Sequence, residues 1–520
     1  MKLSQKTFYN KVLGCFMGKN IGGTLGAPVE WQRQINDFTF YTHNLNGEPL
    51  PNDDLDLQLI WLKCVEDCGI HITARELAEY WLDYEVANYA EYGIGKSNLK
   101  AGFEPPLSGI LGNEFKDSCG AYIRSEIWAC MCPGRPDLAV QYAYEDAIVD
   151  HGNGEGTYAA LFSAAMEAAA FAESDFRKLI EIGKSYIPSG CGVSKAIATA
   201  IECYENKKDW KECRDTILEK HRGCCPFHNL KACSERDRKK GLHTGKLGYD
   251  VPSNIGILVA GMLYGEGNFD KTLCTTVNMG EDTDCTAGTV GALFGIIYGI
   301  DRIPEKWIQP IGHSIQTICC NKAHGQFFPQ TVEELSERII KQAKIVSLSL
   351  DGKDGLKTMD IFGDTDDLSD LDLSQLYAQN IYYMERVNVL RPFKGPRYDH
   401  PLFSAALEYE TGVLETQGET KVTLLLSPKN WDDPFNLSVE WISHDFTVAP
   451  QNKYLIPMWS RLIRHEEKVT FTLSSEQSLP KYEGIIKLTI PGRHTKIFIP
   501  VTLQGFDRKP HDEATNHWHE

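Results

Sequence analysis

Two pairs of closely spaced aspartates are the residues of this chain best suited to chemistry. Asp53 and Asp54 precede one apolar segment, and Asp282 and Asp284 lie in a turn before another. A helix start favours anions, because its unpaired N–H groups and its dipole end are positive. Carboxylates held together repel unless a proton or cation lies between them, and hard divalent cations take oxygen ligands. Two acidic helix starts are what a carboxylate-bridged two-metal site needs, although either pair alone also fits capping beside a surface acid.

Three other polar residues have a functional and a structural interpretation. Arg124 could hold a phosphate or carboxylate bidentately, or it could form a partly exposed ion pair. His151, in the turn His-Gly-Asn-Gly, could contact substrate or carry a proton, or it could hydrogen-bond at a helix end. Glu30 follows Pro28, and composition alone favours a surface position for it.

Small residues mark the helices that must position these acids. A stripe of glycines at every fourth residue before Pro28 predicts a helix whose backbone another helix can approach closely. The segment after Asp284 has the same character and predicts a buried helix. The residues concerned are Gly14, Gly18, Gly22 and Gly26 in the first segment, and Gly288, Gly291, Ala292 and Gly295 in the second.

The periodicity of the chain divides it into an all-α domain, residues 1–349, and a smaller all-β domain. Within the first, Thr73 to Ala90 predicts an amphipathic helix with a Thr73–Glu76 capping box, and Tyr92 to Asp117 predicts a long loop. Residues 350–395 are an acidic connector, with a short helix expected at Gln375 to Val389. Apolar and polar residues then alternate over 396–506, which predicts a β-sandwich accessory domain, and 507–520 are a polar tail.

The charge and composition of the chain limit the classes of partner it can bind. The 520 residues carry 53 basic and 71 acidic side chains, a formal charge of 53 − 71 = −18, which argues against a nucleic-acid or anionic-membrane partner. No export signal and no run of about 18 apolar residues is evident. The 16 cysteines are scattered, so free thiols in the cytoplasm are expected. His221 to Cys233 lacks two spaced C-x-x-C pairs and favours an irregular loop over a zinc site.

Three blocks of the sequence, in order, resemble the ADP-ribosylglycohydrolase family. Gly14 to Trp31 (GCFMGKNIGGTLGAPVEW) is similar to the opening helix and G-x-P-x-E turn of that family. Asn52 to Asp54 stand at the place of its Thr-Asp-Asp, and Gly280 to Cys285 at the place of its Gly-Gly-Asp-Thr-Asp-Thr. A looser block, His151 to Gly156, is similar to its mid-chain His-Pro/Gly-Asn-Gly segment, and the resemblance extends over about residues 5–345.

The resemblance implies a Mg²⁺-dependent hydrolase of an N- or O-glycosidic bond to ribose, with a small-molecule or protein-linked ADP-ribosyl substrate. Two Mg²⁺ ions would be held by Asn52, Asp53, Asp54, Asp282, Asp284 and Cys285. The implied catalytic carboxylates are Glu30, Asp53, Asp54 and Asp284. The implied substrate-binding residues are Gly120, Arg124, His151 and Gly280.

Two departures from the family pattern bear on the metals. Asn52 still offers an oxygen where the family has a threonine, but Cys285 offers a soft sulfur, so one site would be weaker, take Mn²⁺ or be completed by water. The family's Asn-Gly pair is also absent beside Gly120, which leaves the ligand open. The alternatives are a metal-dependent glycosidase for another furanoside, nucleoside or carbohydrate, and a non-catalytic ADP-ribose-binding protein. The partner of the sandwich is open as well.

Overall fold

A computed structural model describes residues 1–225, 229–350, 359–378, 394–429, 434–442, 445–459, 466–494 and 496–505. By their contacts these residues fall into two compact units, drawn from Met1–Gly93 with Glu114–Asn388 and from Ile94–Asn113 with Val389–Glu520. The predicted tail 507–520 and residues 379–389 of the predicted helix Gln375–Val389 lie outside the described residues.

The first unit is built from helices, which confirms the all-α prediction. The α-helices are α1 (Gln5–Gly26), α2 (Asp53–Cys68), α3 (Ala74–Tyr84), α4 (Ala90–Lys100), α5 (Glu126–Met131), α6 (Pro136–Ala147), α7 (Glu155–Ala169), α8 (Phe176–Ser185), α9 (Gly192–Glu205), α10 (Trp210–His221), α11 (Glu235–Lys239), α12 (Val251–Gly265), α13 (Phe269–Asn278), α14 (Thr283–Tyr298), α15 (Glu305–Ile308) and α16 (Val332–Leu350). Short 3₁₀ helices are Ala27–Val29, Leu107–Gly109, Tyr122–Arg124, Leu230–Ala232, Ile300–Arg302, Lys322–Phe327 and Leu373–Leu376.

Helices α1 and α14 pack backbone to backbone along their glycine stripes, as the sequence predicts. A Cβ on Gly18 would lie 2.0 Å from the carbonyl oxygen of Gly291, so no side chain fits there. A Cβ on Gly26 would lie 2.3 Å from the carbonyl oxygen of Thr283, at the first turn of α14. The contact therefore brings the end of α1, and Glu30 shortly after it, to the start of α14.

The start of α2 is fixed by its own capping residue. The side chain of Asn52 accepts a hydrogen bond from the backbone N–H of Asp54 at 2.8 Å, and Gly69 closes the helix at φ +82°. The next helix, α3, carries the predicted capping box of Thr73 and Glu76.

Helix α4 occupies part of Tyr92 to Asp117, where the sequence predicts a loop. Its buried positions include the polar residues Glu91, Lys96 and Asn98, so it has no apolar stripe to recognise. The amide of Asn98 donates to the carbonyl oxygens of Ser108 and Leu111, both at 2.8 Å. Hydrogen bonding to the following loop thus stabilises a helix that local propensity does not specify.

The second unit contains two antiparallel sheets, which confirms the predicted sandwich. One has the strand order β1-β2-β3-β7-β5 and the other β6-β4-β8-β9. The strands are β1 (Lys394–Asp399), β2 (Phe403–Tyr409), β3 (Glu419–Pro428), β4 (Phe435–Trp441), β5 (Thr447–Ala449), β6 (Lys453–Met458), β7 (Glu467–Ser474), β8 (Lys481–Thr489) and β9 (Lys496–Gln504). Val422 of β3 pairs with Phe471 of β7 in the first sheet. Both side chains are buried in the same core as Ile486 and Ile499 of the second sheet.

Residues 94–113 pack with the sheets, although they lie inside the range predicted for the helical domain. Phe103, Leu107 and Leu111 are buried in the same core as the strands. No helix in the described part of the chain is long and apolar enough to cross a membrane. All 16 cysteines are described and all are free thiols, as expected from their scatter.

Candidate metal centre and its cavity

The starts of α2 and α14 bring their acidic residues together, as the two motifs require. One group of potential ligand atoms comes from Asp54, Asp284 and Cys285, and a second from Glu30, Asp282 and Asp284, with the atoms of each group within 4.8 Å of one another. Asp284 belongs to both groups. It would therefore be shared by the two groups if each held a cation.

Several oxygens of this cluster are buried without a donor. Asp282 and Asp284 are only 1% and 3% exposed. Both carboxylate oxygens of Asp282 and Oδ1 of Asp284 have no nitrogen or hydroxyl donor among the described residues, and only the weak thiol donors of Cys119 and Cys285 lie beside Asp282. Buried carboxylate oxygens are costly without a donor or a cation. The Glu30, Asp282 and Asp284 group offers oxygen donors alone, so it fits a hard cation such as Mg²⁺.

The pKa values of the cluster reflect the same crowding. Burial, and then the charge of Asp282, raises the pKa of Glu30 to about 8. Burial, with the nearby Asp54 carboxylate, raises the pKa of Asp282 to about 7, and burial followed by Asp54 raises that of Asp53 to about 6. Without a cation, the cluster therefore holds protons that free carboxyl groups would have lost.

A pH-dependent stability follows for the metal-free protein. These carboxyls have folded pKa values above their unfolded values near 4, so the stabilisation is complete below about pH 4 and is lost as the pH rises through about 6 to 8. We expect the melting temperature in EDTA to be lower at about pH 8.5 than at about pH 5.5. Added Mg²⁺ should raise it most at the higher pH. Equal effects of Mg²⁺ at both values would contradict the role of these carboxyls.

A buried lysine, which the sequence reading missed, lies beside Asp54. The Lys19 ammonium is 3.2 Å from Oδ2 of Asp54 and 2.8 Å from Oε1 of Glu126. The thiol of Cys285 donates to Oδ1 of Asp54 at 3.4 Å. One side of Asp54 is thus neutralised by the protein itself. The signal in the sequence was Lys19 itself, the single charged residue between Val12 and Gly26 in the glycine-rich part of α1.

Asp53 and Asn52 stand beside the two groups of ligand atoms. Oδ2 of Asp53 accepts hydrogen bonds from the hydroxyls of Tyr89 at 3.3 Å and Tyr92 at 3.2 Å. The amide of Asn52 donates to Oδ2 of Asp284 at 3.3 Å, while its oxygen caps α2. Asp53 therefore faces aromatic hydroxyls, and Asn52 ties the two helix starts together.

A cavity of about 250 Å³ opens beside this cluster. Its walls combine carboxyl groups with aromatic rings. The carboxyl-bearing residues of the wall are Glu30, Asp53, Glu91, Asp250 and Asp282. The aromatic ones are Trp31, Tyr89, Tyr92 and Phe115. Aromatic faces beside convergent polar groups are typical of small-molecule sites.

The residues predicted to bind substrate fall in different places. Gly120 lies in the cavity wall, whereas Arg124 and His151 are fully buried and do not line it. Arg124 forms ion pairs with Asp146 at 2.8 Å and Asp150 at 2.7 Å, which is the ion-pairing alternative considered for it, although the pairs are buried and not partly exposed as expected. Gly280 holds φ +75° in the turn before Asp282 and does not line the cavity either.

Comparison with known proteins bears on this geometry. Residues 4–345 match the family model described as ADP-ribosylglycohydrolase. The chain belongs to the ADP-ribosylglycohydrolase family. A stretch of 61 residues is 34% identical to the human protein "ADP-ribosylhydrolase ARH3", and it covers 12% of this chain and 17% of that protein. The match to ARH3 is thus local, whereas the family match covers the helical part of the chain.

In this member of the family, a buried ion pair holds the turn that carries Asp282. Glu281 has φ +71°, a conformation that L-residues rarely adopt, at the position where the family pattern has glycine. The guanidinium of Arg33 donates to both carboxylate oxygens of Glu281, at 2.6 and 2.8 Å, and to the carbonyl oxygen of Gly223 at 3.0 Å. Sequence reading missed both residues, because an Arg and a Glu so far apart give no local signal.

We expect Arg33→Lys to loosen this turn without unfolding the protein. An ammonium keeps the charge but loses the bidentate geometry, which should cost about 1–2 kcal/mol of stability. Because Asp282 follows Glu281 directly, apparent Mg²⁺ affinity should fall about tenfold. Calorimetric titration with Mg²⁺ and urea unfolding would measure the two effects. Unchanged Mg²⁺ affinity would mean that the turn is held by other contacts.

The segment His221 to Cys233 shows no metal site in the part that the structure describes. Cys224, Cys225 and Cys233 are buried, and none of them belongs to a group with metal-ligand spacing. Residues 226–228 lie outside the described residues. Two basic residues that follow this segment, Arg236 and Lys240, both form ion pairs with Asp215.

Proposed function

We propose that this chain is a divalent-metal-dependent hydrolase of an N- or O-glycosidic bond to ribose. The observation that carries the proposal is the convergence of Asp54, Asp282 and Asp284 from two distant helix starts, with buried oxygens of Asp282 and Asp284 that have no nitrogen or hydroxyl donor among the described residues. Family membership supports a hydrolase, and the donor set supports a metal.

The two cation positions differ in donor chemistry. Glu30, Asp282 and Asp284 would hold Mg²⁺ through oxygen alone. Asp54, Asp284 and Cys285 would hold the second ion, and the sulfur of Cys285 favours Mn²⁺ over Mg²⁺ there. When bound, such ions supply positive charge that orients and polarises the oxygens of a ribose.

Two carboxyl groups of the site have separate roles in the proposed reaction. Glu30, whose pKa burial and neighbouring carboxylates raise to about 8, is a stronger base than a free carboxylate, and in its ionised form it would accept the proton of an attacking water. Asp53 accepts hydrogen bonds from two tyrosine hydroxyls on the cavity wall, and a ribose ring bound in the cavity would lie beside it. Carboxylates around the ring stabilise the oxocarbenium-like transition state of glycoside hydrolysis.

The substrate is either an ADP-ribosyl compound, small or protein-linked, or a simpler furanoside. The second candidate is favoured by the wall itself: among the described residues that line the cavity there is no Lys, Arg or His. A diphosphate would then depend on backbone N–H groups near Gly120 and on the metal ions. The carboxyl-rich wall suits an uncharged nucleoside or furanoside better.

A substrate panel tests the proposal. Serine- and arginine-linked ADP-ribosyl peptides, nucleosides and simple ribofuranosides would be incubated with Mg²⁺, Mn²⁺ or EDTA. Release of the ribosyl group that requires a divalent ion supports the hydrolase. Binding of ADP-ribose without turnover of any compound would favour a non-catalytic binding protein. Turnover that persists in EDTA would overturn the metal requirement.

A further inference from the structure

Glu91, in the first turn of α4, is a buried carboxyl on the cavity wall that belongs to neither group of metal ligands. It is 6% exposed. Its carboxylate packs onto the backbone of Gly120, where a Cβ would lie 2.3 Å from Oε1. Only glycine leaves room for this side chain. The wall is therefore shaped around the Glu91 carboxyl.

A line of buried polar groups leads away from Glu91 into the protein. Nε2 of His151 is 3.9 Å from Oε1 of Glu91 and 3.3 Å from the hydroxyl of Ser118, which also lines the cavity. Nδ1 of His151 is 2.8 Å from Oδ1 of Asp150, and Arg124 donates to both oxygens of Asp150 at 2.7 and 3.1 Å.

The imidazole of His151 packs against a glycine, as the carboxyl of Glu91 does. A Cβ on Gly156 would lie 2.1 Å from Cδ2 of His151, so the start of α7 also leaves space for the ring alone. Burial opposes ionisation of Asp150, but Arg124 and His151 lower its pKa to about 2. The ionised carboxylate of Asp150 accepts a hydrogen bond from Nδ1–H of His151. The other ring nitrogen, Nε2, then faces Ser118 and Glu91.

Other groups face Glu91 from neighbouring elements. Asp250 at the start of α12, the thiol of Cys119, and the hydroxyls of Tyr89 and Tyr92 all interact with its charge. Burial raises the pKa of Glu91, while His151 acts against that shift. Glu91 thus combines access to the cavity with a tendency to hold a proton.

We propose that Glu91 is the general acid that protonates the leaving group, and that His151, fixed by Asp150 and Arg124, is its positioning residue. This rests on the proposed glycosidic hydrolysis. The bond between C1 of the ribose and the leaving atom breaks, and its electron pair goes to that atom, which takes the proton of Glu91. Water forms the new C1–O bond and gives its proton to Glu30. Glu91 then regains a proton from solvent in the cavity, and Glu30 releases one to it, which closes the cycle.

The leaving group decides the test. Benzyl and 4-nitrophenyl ribofuranosides, as both anomers and with the ribose free or ADP-linked, would be assayed with Mg²⁺ and with Mn²⁺. The benzyl alcohol must be protonated as it leaves, whereas 4-nitrophenoxide leaves without a proton. Glu91→Gln should lower kcat/KM for the benzyl compound by about 10²–10⁴-fold and for the 4-nitrophenyl compound by less than about fivefold.

His151→Gln gives a second, independent readout. Without the imidazole the pKa of Glu91 rises, so the basic limb of the kcat/KM profile should move to higher pH for the benzyl compound and stay in place for the 4-nitrophenyl compound. Glu155→Gln is the matched control. Glu155 is a partly buried carboxylate that accepts hydrogen bonds from the backbone N–H groups of Gly192 and Val193 and does not line the cavity.

The outcomes separate the two proposals. If the wild type is active and Glu91→Gln lowers kcat/KM equally for both compounds, or for neither, the role of Glu91 is overturned. The proposed hydrolase activity is then unaffected. A wild type that cleaves no ribosyl compound with either metal overturns the hydrolase and this role with it. Unchanged Mg²⁺ binding by Glu91→Gln, measured by calorimetry, excludes a folding defect as the cause of any selective loss.

Discussion

Asp284→Asn is expected to lower kcat/KM for every cleaved substrate by at least about a thousandfold, which corresponds to about 4 kcal/mol of transition-state stabilisation. Asp284 contributes an oxygen to both groups of ligand atoms, so one substitution affects both cation positions. Burial and four neighbouring carboxylates raise the pKa of Asp284, so its ionised form is unfavourable in the metal-free protein. The same change removes that buried charge. The metal-free variant should therefore melt at a higher temperature than the metal-free wild type above about pH 7.

Activity and stability are thus expected to change in opposite directions. One preparation would serve for three measurements: kcat/KM with Mg²⁺, metal affinity and stoichiometry by calorimetric titration, and melting temperature in EDTA. Asp301→Asn is the control, because Asp301 is an exposed acid just beyond the other end of α14. A variant that keeps its activity and its metal stoichiometry would show that the aspartates are structural.

The cluster of aspartates is the part of the site that the sequence predicts best. Paired acids before an apolar helix specify a local structure, the helix start, whose backbone N–H groups favour carboxylates. Two such acidic helix starts that meet then favour a cation between them. The glycine stripes of α1 and α14 add the packing, because a stripe without side chains can be buried only against another backbone. Local pattern and long-range contact agree here, so the convergence of Asp54 and Asp284 could be predicted.

The residues that support the cluster could not be found in the same way. Lys19, Arg33 and Glu91 act through partners distant in sequence, and a lone charged residue carries no information about which partner it meets. Helix α4 was missed for a related reason, since its buried positions are polar and its hydrogen bonds go to the following loop. Patterns of apolar residues predict what packs, whereas these contacts depend on where polar groups are satisfied.

The β-sandwich shows the opposite balance. Its strands are clear from alternation alone, because one face of each sheet is buried and the other is solvated. Nothing in that alternation indicates that Phe103, Leu107 and Leu111 complete its core, since they come from a segment nearly three hundred residues earlier. The matched family range ends at residue 345, so the sheets are an addition to the part of the chain that carries the aspartates.

Lys19→Met is expected to have the largest effect on stability. Burial opposes the charge of Lys19, but Asp54 and Glu126 raise its pKa above the usual value, so the ammonium persists inside the protein. Methionine fills a similar volume and leaves two buried carboxylates without their cation. Removing one member of such a group costs about 3–5 kcal/mol of the free energy of unfolding.

The pH dependence identifies the cause of that loss. In the variant, Asp54 and Glu126 can remain buried only by taking up protons, so their folded pKa values rise and the destabilisation grows as the pH increases. Urea unfolding across pH would show this, and the double variant Lys19→Met with Glu126→Gln should recover part of the stability. Lys271→Met, which removes an exposed pair with Glu266, should cost less than about 1 kcal/mol. If both methionine variants lose the same amount, independent of pH, the buried ammonium does not balance the charge of Asp54.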